Sequence, residues 1–351
     1  MSDMAGTAIL ITTFLRDNLL FRCVRSIRQY YPDIAVYIGD NGYHTDEKRQ
    51  FCKDQHCIYL ELPFDLGVSG VRNAALKVMP EGYEYVLICE DDIEFDDKTD
   101  IAKLRTVLNA EPEIGVVGCR LKTAEGTDQH YEGRIWIDND TYYIEKIDHP
   151  EWREANGIKY FLCDIILNVF LMRRQVWLDC PWDEQFKTAL EHSDFFLSLK
   201  TKTGWKVAYV SDCSTWHKQE KDDERYLKFR QRPTGWRLFA KKWNIKFSKS
   251  SWNPNPKAKL PLLIMGADYT AKDASLASAI QILERHGCKW WLEAGTCLGA
   301  VRHNNFIGHD MDIDIGLPAV HAGLWDAFIE EFKAEGFELY MPWKHRARKS
   351  S

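Results

Sequence analysis

The chain has 351 residues, enough for two domains with sizeable cores on a prior of about 150 residues each. A formal charge of -6 argues against nucleic acid as a partner, and 45% hydrophobic with 28% charged residues is the composition of a folded globular protein rather than a disordered one. No run approaches the ~18 apolar residues of a membrane span, and no basic segment precedes an apolar secretory core at the N-terminus. The 10 Cys fall singly, without a Cys-x-x-Cys pair, so the expected setting is cytosolic, with reduced and buried thiols.

Thr7 to Thr13 is a β-branched run that predicts a strand. From Asp17 to Tyr31 apolar Leu20, Val24 and Ile27 recur at helical spacing, with Arg22, Arg25 and Arg28 between them, and Pro32 stops the helix. A second strand over 34–38 ends in Gly39-Asp40-Asn41-Gly42, a polar turn able to meet a ligand with amides and a carboxylate. Strand, helix and strand at this spacing predict a right-handed parallel unit. Gly67 and Gly70 allow close backbone approach, and Arg72 opens a helical stretch with a guanidinium available to a phosphate.

Tyr85 to Cys89 then reads as a buried strand that delivers Glu90, Asp91 and Asp92 to its C-terminal end, where open α/β sheets place ligands. Three adjacent carboxylates repel one another. They persist most easily with a hard divalent cation, Mn²⁺ or Mg²⁺, shared with substrate phosphates.

Further along, 115–121 reads as a strand, and Thr123 to Tyr160 as a polar, aromatic, poorly periodic insertion. Phe161 to Arg173 is expected to be one core strand carrying a structural Asn168. Glu191-His192-Ser193-Asp194 opens a helix. Capping explains one acid there, whereas two acids and a His also suit removal of a proton from an acceptor hydroxyl. A strand from Trp205 ends near His217, and Tyr226 to Trp243 predicts a basic, aromatic amphipathic helix whose Arg232, Arg237, Lys241 and Lys242 suit phosphates or an anionic membrane surface.

Thr12-Thr13-Phe14, Asp40-Asn41, Gly67-x-Ser69-x-x-Arg72-Asn73 and Glu90-Asp91-Asp92, in that order, resemble a GT-A glycosyltransferase of the family 2 type across roughly residues 7 to 245. Glu191-His192-Ser193-Asp194-Phe195-Phe196 is similar to the β-1,4-N-acetylgalactosaminyltransferases. The resemblance implies a Rossmann-like, mostly parallel mixed sheet, a UDP-sugar donor and a glycan or glycolipid acceptor. It places Thr12, Thr13 and Asp40 at the nucleotide, and Gly67, Ser69, Arg72 and Asn73 near the diphosphate. Asp92 becomes the direct metal ligand, with Asp91 and Glu90 orienting it and the sugar. His217 becomes a further metal or diphosphate contact, and Asp194, then Glu191, the base.

Ser248 to Lys257 is rich in Ser and Pro and predicts a linker, giving expected domains over 1–247 and 259–351 joined by 248–258. Beyond it, Gly295-Thr296-Cys297-Leu298-Gly299-Ala300-Val301-Arg302 and an expected strand bearing Asp310, Asp312 and Asp314 on one face resemble the LicD and fukutin-related phosphotransferases. That resemblance implies an α+β nucleotidyltransferase-like domain, minimal or truncated. Asp312 and Asp314 would hold metal there, Asp310 would assist, and Gly295, Thr296 and Arg302 would face phosphate.

The function expected is a metal-dependent inverting glycosyltransferase of surface or capsular polysaccharide synthesis, at the inner membrane face through peripheral association. The alternatives are a LicD-type phosphotransferase attaching a phospho-alcohol to a glycan held by the first domain, and a carbohydrate-binding scaffold with degenerate sites.

Overall fold

Strand β1 (Thr7–Thr13) is buried along its whole length, because it pairs in parallel with β2 (Ala35–Asp40) on one side and β4 (Tyr85–Glu90) on the other. Burial on both faces is why its sequence is a continuous run rather than an alternation. The computed structural model describes residues 4–218, 226, 229, 234–245, 247–251, 269–303, 306 and 313–335. The chain divides into two units, Met1–Leu262 and Leu263–Ser351.

In the first unit, α1 (Asp17–Tyr30) and α2 (Asp46–Asp54) carry the chain outward to β2 and then β3 (Ile58–Glu61). α3 (Val68–Val78) returns it to β4 on the opposite side of β1. The winding therefore reverses between β1 and β4, and the crevice beyond their carboxyl ends is where such a sheet accepts a ligand. Register puts Thr12 beside Glu90 and Thr13 beside Asp40 at that edge.

The remaining elements are β5 (Ile93–Glu94), α4 (Ile101–Ala110), β6 (Ile114–Thr123), β7 (Asp128–Gln129), β8 (Gly133–Asp138), β9 (Thr141–Lys146), β10 (Arg153–Ala155), β11 (Ile158–Cys163), β12 (Phe170–Arg173), α5 (Arg174–Asp179), α6 (Glu191–Lys202), β13 (Lys206–His217), α7 (Thr234–Trp243) and β14 (Phe247–Ser250). Nine strands run in the order β10-β11-β13-β6-β12-β4-β1-β2-β3, with β5 added to β13 and β7 to β6. β12 is antiparallel to both β4 and β6, while β13 is parallel to β6, so the sheet is mixed but mostly parallel around the site. Ile9, Ile11, Leu20, Val24, Leu87 and Leu171 belong to the core on one face of it.

Four expectations change. The span from Thr123 to Tyr160 is not irregular: β8 and β9 form a hairpin turned at Asn139 (φ 55°), with Trp136 and Tyr143 paired across it at 4.9 Å. Phe161 to Arg173 is two strands, and Asn168 lies in the break between them. The helix expected from Tyr226 is regular over Thr234–Trp243, and Arg232 lies outside the described residues. The linker begins later than 248, because Ser248 to Ser250 pair with β9 in a sheet ordered β14-β9-β8; residues 252–258 lie outside the described residues.

The second unit contains α8 (Tyr269–Arg285), β15 (Trp291–Leu292), α9 (Ala294–His303), β16 (Ile315–Gly316) and α10 (Trp325–Ala334). Ile282, Leu283, Cys288 and Phe328 form its core, and β15 pairs antiparallel with β16.

Candidate active site

The first wall of the crevice is the junction of β1 and β4. Asp91 and Asp92 are buried. Thr13 Oγ1 donates to Asp91 Oδ2 at 2.7 Å. Arg16 follows the turn at Leu15 (φ 61°) and forks across both carboxylates, Nη2 to Asp91 and Nη1 to Asp92 Oδ2 at 2.8 Å. Its guanidinium also lies 4.3 Å from the centre of the Tyr226 ring. The triplet's charge is thus answered from within the chain. Burial pushes Asp91 up to about 7 against the pull of Arg16. Burial acts on Asp92 in the same sense, but the His217 hydrogen bond and Arg16 outweigh it and hold Asp92 below the ordinary carboxylate range.

His217 reaches Asp92 because β13 pairs with β5, His217 opposite Ile93, the residue after Asp92. His217 Nε2 lies 3.5 Å from Asp92 Oδ2, while Nδ1 lies 2.7 Å from Gln129 Oε1. Each ring nitrogen thus faces an acceptor, Gln129 Oε1 at Nδ1 and Asp92 Oδ2 at Nε2; with Nδ1 held by Gln129, Nε2 is the nitrogen that a cation would take in place of a proton. Asp92 Oδ1 is buried without a hydrogen-bond partner. Oxygen and imidazole donors of this kind fit Mn²⁺ or Mg²⁺. Among the described residues no group of three or more His, Cys, Asp or Glu converges, so a cation here would also need oxygens from a substrate.

The second wall is a polar chain. Asn168 Nδ2 donates to Glu90 Oε1 at 3.1 Å and to Glu191 Oε1 at 3.2 Å, and Arg72 Nη2 approaches the same Glu90 oxygen at 3.4 Å. Strand register explains the meeting: Phe170 pairs with Ile88, so the antiparallel chain two residues earlier lies beside Glu90. Burial raises the Glu90 carboxyl above its ordinary range. Glu191 opens α6 after Leu190, which takes the left-handed conformation that turns the chain into the helix. Beside it, His192 packs against Tyr131 at 5.2 Å with Nε2 buried and unpartnered. Burial lowers the His192 pKa, favouring neutral imidazole.

Between the walls lies a cavity of about 260 Å³ lined by Thr12, Thr13, Arg16, Glu90, Asn168, Glu191, His192 and His217, with Phe14 and Phe229 also on its surface. Gly67 is required at its edge: φ is 91°, and a Cβ would come within 2.5 Å of Lys187 Cα. With its amide oriented to satisfy both ends, Asn41 Nδ2 donates to Thr13 O at 3.0 Å and its oxygen accepts from Gly67 N at 2.8 Å.

Several expected site residues do other work. Asp40 accepts from Tyr59 Oη at 2.6 Å and Gly42 N at 2.7 Å and pairs with Lys48 Nζ at 2.6 Å, so its carboxylate is consumed in shaping its own loop. Asn73 braces α3 against the following segment, donating to Trp182 O and Glu184 and accepting from Trp177 Nε1. Arg72 has no exposed surface and sits behind Glu90 over the Trp182 ring, and Ser69 is buried, so neither presents itself to a phosphate. Asp194 points away from the cavity: Lys242 Nζ and Trp243 Nε1 each donate to it at 2.8 Å, tying α7 to α6. Of the two acids, Glu191 alone faces the cavity. Lys242 is accordingly engaged by Asp194 and Asp183.

Arg16 and Gln129 escaped the sequence reading. For Arg16 the available signal was a cation directly after a strand end that faces an acidic one.

In the second unit, Asp314 N donates to Thr296 Oγ1 at 2.9 Å and Asp314 O accepts from Glu293 N at 3.0 Å. Gly295 lies in the first turn of α9 and Arg302 is exposed near its end. Asp310 and Asp312 lie outside the described residues, and the strand expected to carry all three acids is described only at Ile315–Gly316.

Comparison with known proteins agrees with this division. Residues 8–175 match the glycosyl transferase family 2 model, and 287–342 the model for the LicD/FKTN/FKRP nucleotidyltransferase domain. The chain is 39% identical to β-1,4 N-acetylgalactosaminyltransferase 2 of Mus musculus over 106 residues, 30% of this chain and 19% of that protein. It is 32% identical to β-1,4 N-acetylgalactosaminyltransferase 1 of Rattus norvegicus over 210 residues, 58% of this chain and 36% of that one. The chain thus spans well under half the length of these relatives. The crystal structure of GalNAc-T7 with UDP, GalNAc and Mn²⁺ superposes with a TM-score of 0.49 at 11% identity, over 63% of this chain and 45% of that one. Residues 8–175 are a glycosyl transferase family 2 domain, and residues 287–342 belong to the LicD/FKTN/FKRP nucleotidyltransferase family.

Proposed function

We propose that the first unit is an inverting glycosyltransferase that moves an N-acetylhexosamine or hexose from a UDP-sugar to a hydroxyl of a glycan or glycolipid. The observation that carries this is the pairing, across one cavity, of His217, which lines it in front of the buried Asp92, with a carboxylate wall at Glu90 and Glu191. Thr12, Thr13 and Gly67 shape the donor side of the crevice. Asp92 and His217 would hold Mn²⁺ or Mg²⁺, which when bound offsets charge on the diphosphate leaving group. Glu90 and Asn168 orient sugar hydroxyls. Glu191 takes the acceptor hydroxyl proton as the acceptor oxygen bonds to the anomeric carbon, and the electron pair of the breaking bond leaves on the diphosphate. Attack opposite the leaving group inverts the anomeric centre.

Similarity to β-1,4 N-acetylgalactosaminyltransferases favours UDP-N-acetylgalactosamine as donor. The setting we infer is surface or capsular polysaccharide synthesis at the inner membrane face; among the described residues no helix is long and apolar enough to cross a membrane. A panel of UDP-sugars offered with Mn²⁺ tests the reading. Hydrolysis or transfer from a UDP-N-acetylhexosamine, lost in Asp92→Asn, is expected; no turnover of any UDP-sugar sinks it. The match over 287–342 supports a second reading, attachment of a phospho-alcohol to a glycan, so CDP-alcohols belong in the same panel.

A further inference from the structure

Arg16 and an incoming divalent cation have competing claims on one carboxylate. Arg16 Nη1 holds Asp92 Oδ2 at 2.8 Å, the same oxygen that lies 3.5 Å from His217 Nε2, and Arg16 Nη2 holds Asp91. Arg16 also lines the cavity, and its Nε is buried without a partner. It is nearly buried, over the face of Tyr226. A guanidinium fork suits a diphosphate as well as it suits a carboxylate pair. A divalent ion brought to Asp92 beside this fixed charge would meet repulsion and a carboxylate whose Oδ2, the oxygen nearer His217, is already taken.

Resting on the reading of Asp92 and His217 as the cation site, we propose that Arg16 is an exchangeable internal counter-ion: it neutralises Asp91 and Asp92 until a nucleoside diphosphate draws its guanidinium away, and so makes metal and nucleotide bind cooperatively. The shared carboxylates are the physical link. Whatever moves Arg16 onto a diphosphate frees Asp92 for the metal, and by reciprocity the metal on Asp92 frees Arg16 for the nucleotide. Each ligand then tightens the other by the same factor.

The experiment measures Mn²⁺ affinity on the full chain by electron paramagnetic resonance, with and without saturating UDP, and UDP affinity without metal by calorimetry. In the unsubstituted protein UDP should tighten Mn²⁺ by about tenfold or more, within the usual range of such couplings. In Arg16→Gln, Mn²⁺ alone should bind about fivefold or more tightly than in the unsubstituted protein, metal-free UDP should bind more weakly, and the coupling should fall to about threefold or less. A merely structural arginine would weaken both ligands together, and that outcome overturns the proposal. Because Arg16→Gln leaves two buried carboxylates without their cation and could fail to fold, Arg16→Lys provides a second reading. It keeps the charge but loses the fork, and should shift each affinity in the same direction by less. Lys and Arg proteins with equal affinities and equal coupling also overturn the proposal. Asp92→Asn separates the layers: if it binds Mn²⁺ as the unsubstituted protein does, the cation site itself is misplaced, whatever Arg16 does.

Discussion

Asp194 and Glu191 stand three residues apart at the start of α6, so helical periodicity puts both on the same side and spacing alone does not separate them. Their partners do. Asp194 is saturated by Lys242 and Trp243, whereas Glu191 meets Asn168 and faces the cavity. Glu191→Gln should therefore lower kcat by about 10²- to 10⁴-fold with little change in thermal stability. Asp194→Asn should cost about 1 kcal/mol of stability or less, because it removes one of two carboxylates paired with a solvent-accessible ammonium, yet leave kcat within about threefold while folded. Steady-state kinetics beside thermal unfolding of both variants checks the assignment, and a kcat collapse in Asp194→Asn would reverse it. The sequence made these two acids candidates without ranking them, since the groups that decide lie 48 and 49 residues away along the chain. Asp40 and Asn73 pose the same problem: their residue types suit a ligand, and their partners Lys48, Tyr59 and the Trp177–Trp182 segment are not evident from local spacing.

At the level of elements, α7 is held by the buried Phe239, by Trp243 on Asp194 and by one bridging ammonium. Lys242 Nζ bridges Asp183 and Asp194, each at 2.8 Å, and the pKa values of the two acids are shifted in opposite directions. Burial raises Asp194 despite Lys242 and Trp243, so protonating it on acidification relieves the folded state. Burial would also raise Asp183, but Lys242 and the Gln185 N–H outweigh it and leave it below its ordinary range. The stability Asp183 contributes is thus present above the ordinary carboxylate range and is lost as pH falls through its depressed value. Hydrogen exchange of α7 amides, referenced to β1, should stay slow from about pH 7 to about pH 5 and accelerate only below the ordinary carboxylate range. In Asp183→Asn it should already be faster near neutrality, with that acid step gone. A step near pH 5 that survives the substitution would assign the tether to another group.

Long, two-sided strands such as β1 and β4 and the amphipathic α1 were legible in the sequence, because burial on a sheet or one helical face imposes a period. The β8–β9 hairpin was not: its strands are short and partly exposed, and its one local sign was Asp138-Asn139-Asp140 between aromatic residues. Nor was the break before β12, although that break is what delivers Asn168 to Glu90 and Glu191.

On the scale of the whole molecule, the Ser- and Pro-rich stretch led to an expected linker over 248–258, and the chain divides into units ending at Leu262 and beginning at Leu263. The linker's start was misplaced, since Ser248 to Ser250 satisfy the edge of β9 and belong to the first unit. Each unit holds its own hydrophobic core, one on the mixed sheet and one around Ile282, Leu283, Cys288 and Phe328, so each site should answer to damage in its own unit. Thr296 supplies a sharp lesion. Its buried hydroxyl accepts the Asp314 N–H at 2.9 Å, and Thr296→Ala leaves that donor without its acceptor, at a cost of about 1–3 kcal/mol borne by the second unit. Calorimetry of the full chain should then show one transition shifted downward and the other in place, with UDP-sugar turnover unchanged and any CDP-alcohol chemistry reduced. Asp92→Asn should give the converse pattern of activities. If Thr296→Ala instead abolishes UDP-sugar turnover while the first unit's transition stays where it was, the two units work on one substrate in one site, and the division into independent sites fails.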